Sequence, residues 1–225
     1  EGRIGEAKGF NTETGPDVCV PPLESLKKMM PPNELKLDSE AWSFHAGLGA
    51  FKNTGLIEKA VQDRYGSFEN LHEFVELSQI LGYEAWRAMF EAYGRNFPEG
   101  TGVIGWMLNS PWPSLIWQLY DYYFNPNGAY FGSKKACEPI HIQYSYDDHS
   151  VWIINYTHQK LKNLKASLRI FDIHSSKIKE KKIDNLSLGP YEKLNILQLE
   201  SLVNMKQLPD VFFVDLNLQS SLTSQ

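Results

Sequence analysis

Two short apolar segments limit what the first part of this chain can fold into. "GFNTETGPD" reads as a strand ending near Glu13 and broken by Gly15-Pro16. "TGVIGWMLN", Thr101 to Asn109, reads as a buried strand that ends at Ser110-Pro111. Mostly helical sequence separates the two. Parallel strands covered on both faces need further strands beside them, so such a pair cannot form a sheet on its own. The pair is therefore expected to be the last two strands of a larger βα array whose earlier members lie outside this chain.

The helical sequence between them is legible from spacing. In "NLHEFVELSQILGYEAWRAMFEAYGRNF", Leu71, Phe74, Val75, Ser78, Leu81, Ala85 and Met89 recur on one helical face, and Asn70 with Glu73 forms a capping pair. "LESLKKMM" and "GLIEKAVQDRYG" predict shorter helices, and "SLIWQLYDYYF" and "GSKKACEP" are read as helical too. After Pro139 the apolar period becomes two. "IHIQYSYDDHSVWIINYT" predicts a hairpin with Ile140, Ile142, Tyr144 and Tyr146 on one face, returning through Val151 and Ile153. "LKASLRIFDI", "KIKEKKI", "KLNILQLE" and "DVFFVDLNL" continue as short strands, a density that suggests a small antiparallel sandwich of immunoglobulin-like kind. The boundary is placed between residues 1–138 and 139–225.

Charge and composition narrow the function. The formal net charge of -5 disfavours a phosphate-tracking surface, so no nucleic-acid partner is expected. The run "KIKEKK" is interrupted by Glu180 and suits a solvated edge strand. Cys19 and Cys137 make neither a disulfide framework nor a ligand spacing, and the six His carry no HExxH pattern, so no metal site is expected. No apolar run is long enough to span a membrane, and no membrane partner is expected. The chain opens on Glu1 and not on Met, as a processed protein or a piece of a longer one would. "NYT" at Asn155 and "NLS" at Asn185 fit the glycosylation pattern.

Candidate site residues collect at the ends of the two strands. Glu13 between two threonines is either a turn carboxylate or an acid presented by a strand end to a cleft. Trp106 is either core or a stacking platform, because an indole face suits the C–H groups of a pyranose. Asn109, Trp112, Trp117, Gln118 and Asp121 follow in the next segment; Asn and Gln can both donate to and accept from hydroxyls, and an Asp can pair with a cationic amine.

Taken together, "GFNTETGPD", the stretch from Thr101 to Ser145 beginning "TGVIGWMLNSPWPSLIWQLYDYY", and the strand-rich tail resemble the C-terminal part of glycoside hydrolases of family two. The resemblance is to the exo-β-D-glucosaminidase group first and the endo-β-mannosidases next, and it covers essentially the whole chain. It implies a TIM (β/α)8 barrel whose last two strands and associated helices are residues 1–138, followed by an immunoglobulin-like β-sandwich at 139–225. It implies that Glu13 is the catalytic nucleophile of a retaining mechanism, that Trp106 floors a sugar subsite, and that the Trp106–Met107 peptide is cis. Asn109, Trp112 and Asp121 join Trp106 as expected substrate contacts. The family's acid/base carboxylate lies far upstream of the nucleophile, so it is expected in the rest of the parent polypeptide, and the chain alone is expected to be inactive. Asp17 and Asp121 are stand-ins by chemistry only. The expected substrate is a β-linked oligosaccharide, no cofactor is implied because carboxylates suffice, and the resemblance suggests a secreted or periplasmic protein.

Overall fold

The computed structural model describes residues 7–16, 18–47 and 54–219. The chain is mixed helix and sheet and divides into two compact units. One comprises Gly9–Phe90 and Thr101–Ala136, and the other Glu1–Lys8, Glu91–Gly100 and Cys137–Gln225.

In the first unit, β1 (Gly9–Thr14) and β2 (Gly100–Gly105) pair as a two-stranded sheet, and β2 begins on the one residue that belongs to the other unit. Around them stand α1 (Leu23–Met29), α2 (Glu40–His45), α3 (Thr54–Tyr65), α4 (Leu71–Arg95) and α5 (Gly128–Ala136). The expected cap of α4 forms in modified shape. Asn70 Oδ1 accepts from Glu73 N at 3.0 Å, while the Glu73 carboxylate accepts from Glu69 N at 2.7 Å, one residue before the cap. Leu26, Trp42, Ile57, Val61, Phe74 and Leu115 lock the helices into one apolar core. Each fully buried large aliphatic side chain there contributes about 1.5–3 kcal/mol. On α5, Gly128 and Gly132 lie one turn apart against the backbone of Gln79 and Tyr83, so the two helices approach at a distance that a Cβ would forbid.

One predicted helix does not form. Ser114 to Phe124 is irregular, with Trp117 and Phe124 at φ of 77° and 63°. Its backbone donors and acceptors are used sideways. Met107 N donates to Trp117 O at 2.6 Å, Leu119 N to Met107 O at 3.0 Å and Tyr120 N to Leu108 O at 2.8 Å. These bonds replace the helical ladder, so tertiary pairing outweighs the local periodicity. The strand read over Thr101 to Asn109 is correspondingly shorter, and β1 and β2 are less buried than expected: Phe10 and Ile104 are exposed. A two-stranded sheet has an unpaired edge on each side, and both side chains stay more than half exposed although the Phe10 ring lies against Gly102.

The second unit holds the last turn of α4 and six strands. The expected hairpin forms from β3 (Ile140–Tyr144) and β4 (Ser150–Asn155), with Ile142 opposite Ile153 and Tyr144 opposite Val151. Three-stranded sheets follow the orders β3-β4-β7 and β6-β5-β8, where β5 is Leu161–Phe171, β6 Lys177–Leu188, β7 Lys193–Gln198 and β8 Phe213–Gln219. Apolar residues of both sheets meet in shared clusters around Ile153, Leu164, Val151 and Ile170. The Lys-rich strand β6 is an edge, as its charge pattern suggests. Glu91 and His141 pair in this unit at 2.9 Å, both buried. Asn155 is buried, its amide donating to Gln159 O and Gly189 O and accepting from Thr157, so that sequon is closed to modification in the folded chain; Asn185 is exposed. Among the described residues no helix is long and apolar enough to cross a membrane, and no cluster could hold a metal ion.

Candidate functional site

The site is built where β1 and β2 end. Trp106 N donates to Thr14 O at 2.8 Å, which brings the residue after β2 beside the residue after Glu13. Gly15 makes the approach possible: a Cβ there would stand 2.6 Å from Trp106 O and 3.2 Å from the buried Trp86 ring. Glu13 is exposed, and its backbone N–H donates to Asn11 Oδ1 at 3.1 Å, fixing the strand end from within. The indole of Trp106 is 47% exposed. The strand end that carries Glu13 and the half-exposed Trp106 thus adjoin through Thr14, and the Trp106–Met107 peptide is cis, as the resemblance implies.

The segment after β2 forms a wall pinned at several points. Asn109 is exposed and bridges to Tyr120. Trp112, 38% exposed, stacks on His45 with centroids 5.7 Å apart and meets Phe44 edge-on at 5.7 Å. Ser110 Oγ donates to Trp112 O at 2.7 Å, and Ser114 Oγ donates to Gln118 Oε1 at 3.0 Å. Gln118 is fully buried and returns a bond from Nε2 to Ser114 O at 2.7 Å, so its amide is committed inside the loop. Trp117 is half-buried and packs on the helical core.

Asp121, expected as a substrate contact, is buried in the turn after Tyr120. It is 1% exposed, and its Oδ1 accepts from Tyr123 N at 2.8 Å and Asn125 N at 3.0 Å. Holding the turn that follows Tyr120 is what this geometry does. Burial, with the Asp121 charge close by, raises the Tyr123 hydroxyl above its ordinary pKa. Asn127 fastens the far end of the wall, donating to Gln118 O at 2.6 Å and Cys19 O at 3.2 Å. Asp17, the other stand-in carboxylate, lies outside the described residues. Spacing alone did not reveal Phe44, His45, Ser110, Ser114 or Asn127; the aromatic cluster in "AWSFHAG" was the available signal.

No family model matches the chain. An exo-β-D-glucosaminidase of Amycolatopsis orientalis is 41% identical over 193 residues, 82% of this chain and 19% of that protein. The exo-chitosanase CsxA of the same organism, solved in complex with PNP-β-D-glucosamine, aligns at TM-score 0.88 and 36% identity over 96% of this chain and 26% of its own. The chain belongs to glycoside hydrolase family two. A mannosylglycoprotein endo-β-mannosidase of Lilium longiflorum is 27% identical over 225 residues, 93% of this chain and 23% of that protein. The chain spans about a fifth of the length of these curated relatives.

Proposed function

We propose that the chain is the nucleophile-bearing part of a retaining exo-β-glycosidase that releases terminal β-D-glucosamine. The observation that supports this reading is the Thr14–Trp106 backbone bond, which joins the strand end carrying the exposed Glu13 to the half-exposed Trp106. A retaining enzyme uses two carboxyl groups about 5 Å apart, one attacking the anomeric carbon and one protonating the leaving oxygen, then activating water. Glu13 takes the first role. Asp121 is 1% exposed with its Oδ1 bound to its own turn, so the acid/base is assigned to the rest of the parent polypeptide and this chain alone does not turn over substrate. Trp106, Asn109 and Trp112 form the sugar-facing surface, while Asp121 shapes it from behind.

This reading makes residues 1–138 the end of a TIM barrel and 139–225 an immunoglobulin-like sandwich. The exposed Phe10 and Ile104 support it, since further barrel strands would cover both. The lily relative favours a second reading, a β-mannosidase of the same family. Hydrolysis of matched aryl β-glucosaminide, β-mannoside and β-galactoside by the full-length parent separates the two. Glucosaminide cleavage is expected from the parent, none from this chain, and none from the parent carrying Glu13→Gln with its folding intact. Retained turnover in that variant removes Glu13 from the nucleophile role.

A further inference from the structure

We propose that His45 is a positioning residue that sets the face Trp112 offers to a sugar. The inference rests on the reading of the site as a glycosidase cleft, and it concerns a residue that touches no substrate. His45 grips the loop after β2 at three separate points. Nδ1 lies 2.7 Å from Pro113 O, the ring lies against the Trp112 indole at 22° between planes, and His45 O accepts from Leu115 N at 3.1 Å. A fourth contact anchors the grip elsewhere, Nε2 lying 3.0 Å from Met29 O at the end of α1. The helix that carries His45 is itself fixed, with Ser39 Oγ accepting from Trp42 N at 3.0 Å and Trp42 buried in the core.

The consequence is geometric. One face of Trp112 is covered by imidazole and its edge is met by Phe44, so the exposed remainder of the indole is held at one orientation. Stacking of a pyranose on an aromatic face depends on that orientation, and an indole free to turn would bind its sugar less well. Each ring nitrogen faces a carbonyl, and an imidazole N–H donates to one of them while only a ring carrying both protons donates to both, so Phe at this position keeps the stack and loses the hydrogen bonding to Pro113 and Met29.

The test compares wild type, His45→Phe, His45→Gln and Trp112→Ala in the full-length parent, with aryl β-glucosaminide kinetics and the fluorine resonance of 5-fluorotryptophan at position 112. His45→Phe is expected to raise KM roughly three- to tenfold with kcat nearly unchanged. His45→Gln is expected to recover part of the loss, and His45→Phe combined with Trp112→Ala to be no worse than Trp112→Ala alone, because both act through one ring. The fluorine line is expected to broaden or split in His45→Phe. An unchanged line with unchanged KM overturns the proposal even if thermal stability falls. If the parent cleaves none of the glycosides, the glycosidase reading has failed, whereas a broadened line still supports the positioning of Trp112.

Discussion

Gly15→Ala tests whether the close approach of the two strand ends matters to catalysis. The added Cβ would lie 2.6 Å from Trp106 O, and the two nearest Trp86 ring atoms, at 3.2 Å, leave it no retreat because that indole is fully buried. To reach ordinary van der Waals contact the Trp106 carbonyl has to withdraw by about 0.8 Å, shifting Trp106 relative to the strand end that carries Glu13 and straining the Thr14–Trp106 bond. Overpacking of this kind costs about 1–3 kcal/mol of stability. The catalytic cost is expected to be larger in proportion, since a displacement near 1 Å between a nucleophile and its substrate platform lowers rates by roughly ten- to a hundredfold. The assay is kcat/KM for aryl β-glucosaminide hydrolysis by the parent, beside thermal unfolding. Gly55→Ala is the control: a Cβ there meets nothing within 4 Å and it lies in a helix, so stability is expected to rise by about 0.4–1 kcal/mol with activity unchanged. Wild-type kcat/KM in Gly15→Ala would refute the reasoning, because the two strand ends could then be moved apart without effect.

Three further outcomes concern the second unit. Tyr144 and Tyr156 are pushed up to about 12, chiefly by burial. In the unfolded chain a tyrosine gives up its proton near pH 10. Their contribution to stability is therefore complete below that pH and is lost as pH rises towards 12, since the unfolded state releases the protons first. A tyrosinate absorbance titration is expected to show a late phase that Tyr156→Phe reduces; a single phase near pH 10 in the folded protein would contradict the assignment. Ile153→Ala removes a fully buried side chain shared by both sheets and is expected to cost about 2–5 kcal/mol in denaturant unfolding. Asp215→Ala breaks an exposed pair with Arg169 at 2.6 Å and is expected to cost below about 1 kcal/mol. Reversed magnitudes would show that the sheets are held by their surface and not by their shared core.

What could be read from the sequence follows how local the governing interactions are. The long helix was legible because Asn70 and the apolar spacing from Leu71 to Met89 sit within one segment. The hairpin was legible for the same reason, since its alternation and the Asp147-Asp148 turn are local, whereas the burial of His141 and Gln143 on the opposite face of β3 depends on partners such as Glu91 that lie far away in sequence. Ser114 to Phe124 has helical spacing, yet its backbone bonds run to Met107 and Leu108, partners that periodicity does not register. Asp121 shows the same limit for the site. Its residue type suits an amine, but the turn geometry at Tyr123 and Asn125 draws its carboxylate inward. His45 escaped notice because α2 spans six residues, too few for a clear period, and its importance lies in contacts to residues 29, 112 and 113. Glu13 gave only an ambiguous signal until the neighbouring motifs were considered with it.

The central claim is that Glu13 attacks the anomeric carbon. Incubating the full-length parent with a 5-fluoro-β-D-glucosaminyl fluoride, whose covalent adduct hydrolyses slowly, and sequencing the labelled peptide by mass spectrometry tests it most directly. The account predicts one sugar residue attached through an ester to Glu13 in the peptide that contains "GFNTETGPD". A label on any other carboxylate, or turnover without a trapped adduct and with inversion at the anomeric carbon, would contradict it.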